Sequence, residues 1–93
     1  MTVRIFIKRS VPDDKIAELS VLLKRLRSVT LTQPGYISGQ TLKRLDQPGR
    51  CLVISTWRSA EDWYDWLAND KRIVIQNEID ALLGTPSEYS IYE

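Results

Sequence analysis

Apolar and polar residues first alternate along the chain and then recur at helical spacing. Residues 3–8 alternate with a period of two, which predicts a β-strand. One face of this strand carries Val3, Ile5 and Ile7, and the other carries Arg4, Phe6 and Lys8. Residues 13–31 instead predict an amphipathic helix that needs one apolar surface to lie on. Its apolar positions are Ile16, Leu19, Leu22, Leu23 and Leu26.

Two further strands are predicted around a turn at Gln47-Pro48-Gly49. Residues 36–46 alternate, which places Tyr36 on the face opposite Gly39 and Thr41. Residues 50–58 are apolar on both faces, which is typical of a central strand. The two strands are therefore expected to form an antiparallel hairpin.

A second helix is predicted to begin after Ser59, because Ser59 and Asp62 have the spacing of a capping box. The residues that define its apolar face are Trp63, Trp66, Leu67, Ile75, Ile79, Leu82 and Leu83. Residues 69–71 are a possible interruption, and Gly84 is a suitable C-terminal cap. Residues 87–92 then predict a short final strand.

The order β-α-β-β-α-β predicts one α+β domain over residues 1–93 with the ferredoxin-like plan. Right-handed crossovers place both helices on one face of a four-stranded antiparallel sheet. The other face still carries Phe6, one side of the third strand, and Leu42 or Leu45. Because such a face is too apolar to be left in water, we expect a homodimer with the two sheets packed face to face.

The composition excludes several classes of function but does not identify one. Thirteen basic and twelve acidic residues give a net charge of +1, which offers no electrostatic surface for nucleic acid. No segment approaches the ~18 apolar residues of a membrane span. The single cysteine, Cys51, and the lack of a secretory signal pattern predict a cytoplasmic protein. With no histidine, no metal-ligand cluster and no nucleotide-binding glycine loop, no cofactor is expected.

The corner between the third strand and the second helix resembles the antibiotic biosynthesis monooxygenase superfamily of dimeric α+β barrels. The segments that carry the resemblance are Ile54-Ser55-Thr56-Trp57-Arg58-Ser59, Glu61-Asp62-Trp63, Trp66-Leu67 and Gln33-Pro34-Gly35-Tyr36. The resemblance implies a pocket between the sheet and the second helix, lined by the tryptophan that ends the third strand. Trp57 matches that position.

Activities in the superfamily include cofactor-independent oxidation of polycyclic phenols, quinol oxidation and haem degradation. The haem-degrading branch uses a histidine on the second helix and an asparagine on the first strand. Gln76, or a near neighbour, and Lys8 occupy those positions here, and both departures argue against haem degradation. The resemblance therefore implies a monooxygenase that needs no cofactor and acts on a small aromatic quinol or polyphenol.

The candidate substrate-binding residues are Trp57, Trp63, Gln76, Phe6, Lys8 and Tyr36. Each also has a purely structural interpretation: core packing for the tryptophans, a solvated helix position for Gln76, and a half-buried strand position for Tyr36. A cation such as Lys8 beside a pocket could stabilise a phenolate. The sequence identifies no catalytic residue. A non-catalytic dimer that binds a small ligand or haem, or a purely structural dimer, remains the alternative.

Overall fold

The computed structural model describes residues 1–93 as a four-stranded sheet with three α-helices. In chain order the elements are β1 (Val3–Ser10), α1 (Ile16–Thr30), β2 (Tyr36–Lys43), β3 (Arg50–Trp57), α2 (Ala60–Leu67), α3 (Asp70–Leu83) and β4 (Glu88–Tyr92). The strand order is β2-β3-β1-β4, and all neighbouring strands are antiparallel. The predicted α+β ferredoxin-like fold is confirmed. None of the helices is long and apolar enough to cross a membrane.

The predicted second helix is divided into two helices, and the division lies next to the interruption that the sequence indicates at residues 69–71. α2 ends at Leu67, and the Asn69 side chain accepts hydrogen bonds from the backbone N–H groups of Lys71 (2.9 Å) and Arg72 (3.4 Å). These bonds satisfy donors that have no partner inside a helix, so Asn69 starts a new one. At the other cap, the Ser59 hydroxyl accepts from the Asp62 N–H at 3.1 Å, as the capping box predicts.

β2 differs from its prediction in length and in register. It ends at Lys43 rather than at residue 46, because Arg44 and Asp46 pair with each other in the hairpin loop at 2.8 Å. A bulge near Ile37 leaves Tyr36 opposite Trp57 and Ser38 opposite Thr56. The extra residue brings Tyr36 onto the same face as Gly39, and simple alternation had placed them on opposite faces.

The helices cover one face of the sheet and bury the core there. A first cluster joins Val3, Ile5 and Ile7 of β1 to three tryptophans, Trp57, Trp63 and Trp66. A second cluster joins α1 to α3. Its buried members are Leu19, Ile75, Ile79 and Leu83. Both clusters use the predicted strand and helix periodicities, so the hydrophobic pattern determines which face each element buries.

The opposite, helix-free face of the sheet is apolar at its centre. The strand register brings together Phe6, Leu42, Leu52, Ile54 and Tyr92 on this face. Phe6 packs against Tyr92 with ring centroids 4.8 Å apart, and 57% of Tyr92 remains exposed. Leu42 lies opposite Leu52, whereas Leu45 lies in the loop and is 93% exposed. Leu42 is therefore the leucine that contributes to this face.

Candidate functional site

A cavity of about 330 Å³ lies between the helix-covered face of the sheet and the helices. Its apolar and aromatic lining consists of Ile7, Leu23, Leu26, Tyr36, Val53, Trp63, Trp66 and Tyr89. Its polar lining includes Arg9, Arg27, Thr30, Thr41, Ser55, Arg72 and Gln76. No carboxylate lines it, and no group of three or more His, Cys, Asp or Glu side chains in the chain could hold a metal ion.

Three aromatic residues, Tyr36, Trp63 and Trp66, form one side of the cavity and are called the aromatic wall. Each of them packs against Trp57, which is fully buried and lies behind the wall. Tyr36 and Trp63 meet Trp57 edge to face, with centroids 5.3 and 5.8 Å apart, and Trp66 stacks on it at 6.3 Å. These are favourable aromatic geometries, so Trp57 fixes the positions of all three side chains.

The indole of Trp57 is held in turn by the sheet. Its N–H donates to the Ser55 hydroxyl at 2.8 Å, within the same strand. Both residues are buried, so the bond satisfies a donor that water cannot reach. Ser55 lines the cavity, but the indole N–H of Trp57 is already occupied. Trp57 therefore supports the aromatic wall from behind and has no free donor for a ligand.

Gly39 makes room for the Tyr36 ring. A Cβ atom at this position would lie 2.8 Å from the Tyr36 hydroxyl oxygen, too close for an unstrained contact. The hydroxyl thus lies over the bare backbone of β2, where both residues line the cavity. The bulge near Ile37 and the glycine two residues later together direct Tyr36 into the site.

A polar group of side chains at the cavity is called the arginine end, defined by Arg9, Arg72, Gln76, Ser87 and Tyr89. It adjoins the aromatic wall, because the Tyr89 ring packs against Trp63 with centroids 5.9 Å apart. The Arg72 guanidinium donates to the Tyr89 hydroxyl at 2.6 Å and to the Leu67 carbonyl at 3.1 Å. Arg9 Nε donates to the Ser87 hydroxyl at 3.1 Å. The Gln76 amide donates to that hydroxyl at 3.2 Å and to an Asp80 carboxylate oxygen at 2.9 Å. Neutral oxygens therefore accept every hydrogen bond from the two guanidinium groups.

The two arginines are buried without a paired carboxylate. Arg9 is 5% exposed and Arg72 is 7% exposed. The ion pairs within 4.0 Å are Lys15–Glu18, Arg25–Glu78 and Arg44–Asp46, and none involves these two residues. Burial lowers the pKa of Arg9 and repulsion from Arg72 lowers it further, whereas interactions with Tyr89, Cys51 and Asp80 act in the opposite direction. Holding a charged guanidinium here therefore costs free energy that the chain does not recover in an ion pair.

A larger cavity of about 690 Å³ lies at the end of the sheet beside the β2–β3 hairpin. Its lining is mostly polar and contains no aromatic residue. The cations around it are Lys8, Arg9, Lys43, Arg44 and Arg50. A site for an aromatic molecule needs an apolar and aromatic lining, which only the smaller of these two cavities has. The smaller cavity is therefore the better candidate, although the other has about twice its volume.

The structure brings together half of the candidate site residues from the sequence. Tyr36, Trp63 and Gln76 line the smaller cavity, and Trp57 lies behind its aromatic wall. Phe6 and Lys8 lie on the helix-free face, opposite Ile54 and Leu52 of β3. These two side chains therefore point away from the cavity. Lys8 instead borders the larger cavity.

The cavity residues that were not predicted from the sequence include Arg9, Arg72 and Tyr89. The signal for the arginines was nevertheless present in the pattern. On β1, Arg9 is the next residue on the buried face after Val3, Ile5 and Ile7. On α3, Arg72 lies on the buried side, which Ile75 and Ile79 continue. A charged residue at a position that the periodicity marks as buried is uncommon without a specific reason.

Comparison with known families gives a match over most of the chain. The family model described as antibiotic biosynthesis monooxygenase matches residues 2–77. Among curated proteins, SchA of Streptomyces halstedii is 26% identical over 91 residues, which is 96% of this chain but 24% of SchA. A 42.8 kDa protein in the whiE locus of Streptomyces coelicolor is 28% identical over 76% of this chain and 18% of its own length. The chain thus spans about a quarter or less of these relatives.

Solved structures share the fold at low sequence identity. A conserved protein from Methanosarcina mazei Go1 superimposes with a TM-score of 0.89 at 22% identity, covering 100% of this chain and 92% of that one. A mutant of SnoaB from Streptomyces nogalater, which is described as a cofactor-independent oxygenase, gives a TM-score of 0.85 at 20% identity. That match covers 99% of this chain and 91% of the SnoaB chain.

Proposed function

The chain belongs to the antibiotic biosynthesis monooxygenase family, and we propose that it is an oxygenase that oxidises a small aromatic quinol or polyphenol without a cofactor. The observation that carries the proposal is the cavity of about 330 Å³ that the aromatic wall lines. Its volume falls within the range of small-ligand sites, and flat aromatic molecules suit a lining of tryptophan and tyrosine. The fold shared with SnoaB, a cofactor-independent oxygenase, supports the same conclusion.

In the proposed reaction the substrate supplies all the electrons. A quinol or polyphenol with a free C–H group ortho or para to a phenolic hydroxyl, once deprotonated, donates an electron to dioxygen, and the two radicals combine at that carbon. One oxygen atom remains there as a quinone carbonyl and the other leaves as water. The ring loses two hydrogen atoms and four electrons in total, which reduce one O₂ completely. No external reductant is needed.

The side chains of the cavity have separate roles in this proposal. The aromatic wall holds the ring and keeps water from the oxygenated intermediate. The Tyr36 hydroxyl, which lies over Gly39, is the donor that we assign to the phenolic oxygen. The positive charge of the arginines that line the cavity favours the deprotonated substrate, since opposite charges lower the pKa of an acid.

Oxygen uptake with naphthols, quinols and polyphenols tests the proposal. We expect uptake above the protein-free rate for at least one compound, with one ¹⁸O atom from ¹⁸O₂ in the quinone. Tyr36→Phe should lower kcat at least about tenfold, the scale of one lost donor to a charged oxygen. Tyr64→Phe is the matched control, because Tyr64 is 53% exposed on α2 and outside the cavity. Uptake at the protein-free rate across the panel would refute the oxygenase proposal.

A non-catalytic binding protein is the second candidate, and one observation favours it. No carboxylate, histidine or lysine lines the cavity, so the usual general bases are missing. A binding protein would take up an aromatic compound in the same cavity and leave its rate of reaction with oxygen unchanged. The oxygen-uptake assay, paired with a binding measurement on the same compounds, separates the two candidates.

We also propose that the protein is a homodimer that joins two helix-free faces. Phe6, Leu42, Leu52, Ile54 and Tyr92 give each face an apolar centre. Leu42 is 43% exposed and Tyr92 57% exposed in the single chain. A second copy that covers this surface removes its apolar area from water. Burial of apolar area stabilises a dimer by about 25 cal/mol for each Å².

A further inference from the structure

We propose that the arginine end of the cavity binds a carboxylate group on the aromatic ligand, held between the guanidinium groups of Arg9 and Arg72. The inference rests on the proposed ligand site but does not depend on turnover. It specifies the ligand as an aromatic acid, with its ring against the aromatic wall and its acid group at the adjoining arginine end.

The first support is the uncompensated charge. Arg9 and Arg72 are both more than nine-tenths buried, both line the cavity, and neither has a carboxylate within 4.0 Å. The two positive charges also repel each other, as the effect of Arg72 on Arg9 indicates. Leaving two guanidinium groups in this state destabilises the free protein. A ligand anion would supply the missing counter-charge.

The second support is the arrangement of donors. Arg72 is fixed by the Tyr89 hydroxyl and the Leu67 carbonyl, and its guanidinium lies 5.3 Å from the centre of the Tyr89 ring. The Arg9 Nε–H group donates a hydrogen bond to the Ser87 hydroxyl. Other N–H groups of both side chains therefore remain for the cavity, on side chains whose positions are already set. Planar guanidinium groups fit the two oxygens of a carboxylate well.

A carboxylate fits this end better than a phenolate. The phenolate of the proposed reaction carries its charge on a single oxygen atom, and it needs help to form at neutral pH. A carboxylic acid is ionised at neutral pH without help, since its ordinary pKa is near 4. It can also accept from both side chains at once. Asp80 does not take this role, because its carboxylate accepts from Gln76 and is not paired with either arginine.

Calorimetric titration with 2-naphthoate and its neutral analogue 2-naphthamide tests the inference. We expect the wild-type protein to bind naphthoate at least about tenfold more tightly, the scale of charge-assisted hydrogen bonds. Arg9→Met and Arg72→Met should each remove that preference while changing naphthamide affinity less than about threefold. Arg58→Met is the matched control, because Arg58 is exposed and lines neither cavity, so its loss should leave the preference intact.

Thermal unfolding distinguishes a ligand-binding role from a structural one. Free Arg9→Met should unfold at the wild-type temperature or above, since it loses an unpaired buried charge. Naphthoate should raise the Tm of the wild type and not that of the variant. Arg72→Lys keeps the charge if Arg72→Met does not fold, and it should retain part of the preference.

The possible failures are distinguishable. Equal affinity of the wild type for naphthoate and naphthamide would refute the carboxylate site and leave the oxygenase proposal standing. Naphthoate binding unchanged in both methionine variants would also refute it. A strong preference for naphthoate without oxygen uptake by any phenol would support the site and count against the oxygenase. No binding of either compound would refute the carboxylate site, and the oxygen-uptake assay alone would then decide the oxygenase proposal.

Discussion

Trp57 has three aromatic neighbours that line the cavity, yet its own indole is fully buried and bonded to Ser55. The position at the end of β3 was a candidate for ligand contact on the basis of family resemblance. The contacts favour a supporting role, in which Trp57 positions residues that meet the ligand. At the scale of single residues, the leading candidate from the sequence, Trp57, therefore lies behind the residues that line the cavity.

Trp57→Phe should lower the free energy of unfolding by about 1–3 kcal/mol while leaving ligand affinity per folded molecule nearly unchanged. The loss has two sources: reduced packing on Trp66, and a buried Ser55 hydroxyl that loses its donor. Urea unfolding and calorimetric binding of 2-naphthoate measure the two effects. Trp63→Phe is the comparison, since Trp63 lines the cavity, and there we expect weaker binding. A larger loss of affinity in Trp57→Phe than in Trp63→Phe would contradict the supporting role.

At the scale of elements, the break between α2 and α3 determines which residues reach the cavity. α2 contributes Trp63 and Trp66, and α3 contributes Arg72 and Gln76. Because Asn69 caps a new helix, α2 presents an aromatic face to the cavity and α3 presents a polar one. The Arg72 bond to the last carbonyl of α2, that of Leu67, also joins the two helices.

Asn69→Ala should destabilise the fold by about 1 kcal/mol, because two backbone N–H groups at the start of α3 lose their acceptor. Asn69→Asp is the control and should be close to the wild type, since aspartate is an equally good cap at a helix N-terminus. Urea unfolding midpoints measure both variants. Equal stability of Asn69→Ala and the wild type would mean that packing alone sets the boundary between the helices.

The hydrophobic pattern was sufficient for the element order and for the buried faces of β1, α1 and α3, because burial follows periods of 2 and 3.6. The pattern did not predict which face of β2 carries Tyr36. One extra residue near Ile37 moves Tyr36 to the other face of the strand, and the amino-acid composition gives no sign of it. The pattern also missed the arginine end. Arg9 and Arg72 are far apart in sequence, and only the pairing of β1 with β4 brings both near Tyr89.

At the scale of the whole molecule, the sheet has one face covered by helices and one with an apolar centre. The helix-free face is continuous across four strands, with Phe6 and Ile54 as cross-strand neighbours at its centre. The cavity lies on the other side of the same sheet. In the proposed dimer the two faces of the sheet thus have separate tasks, association on one and ligand binding on the other.

Sedimentation velocity at micromolar concentration should show a dimer for the wild type and a monomer for Ile54→Glu. A carboxylate at the centre of the helix-free face would be buried without a partner in the dimer. Val21→Glu is the control and should remain dimeric, because Val21 is 61% exposed on α1, away from that face. A wild-type monomer at this concentration would remove the basis for a sheet-to-sheet dimer.

Aromatic occupancy of the smaller cavity is the requirement shared by the oxygenase and binding proposals, and NMR of the tryptophan indole N–H groups tests it directly. The chain has three tryptophans, whose signals can be assigned with single Trp→Phe variants. Titration with 1-naphthol without oxygen prevents turnover. We expect saturable shifts of the Trp63 and Trp66 signals and a smaller shift for Trp57, which is bonded to Ser55 behind them. Unchanged indole signals, with shifts confined to residues around the larger cavity such as Lys43 and Arg50, would place the ligand elsewhere.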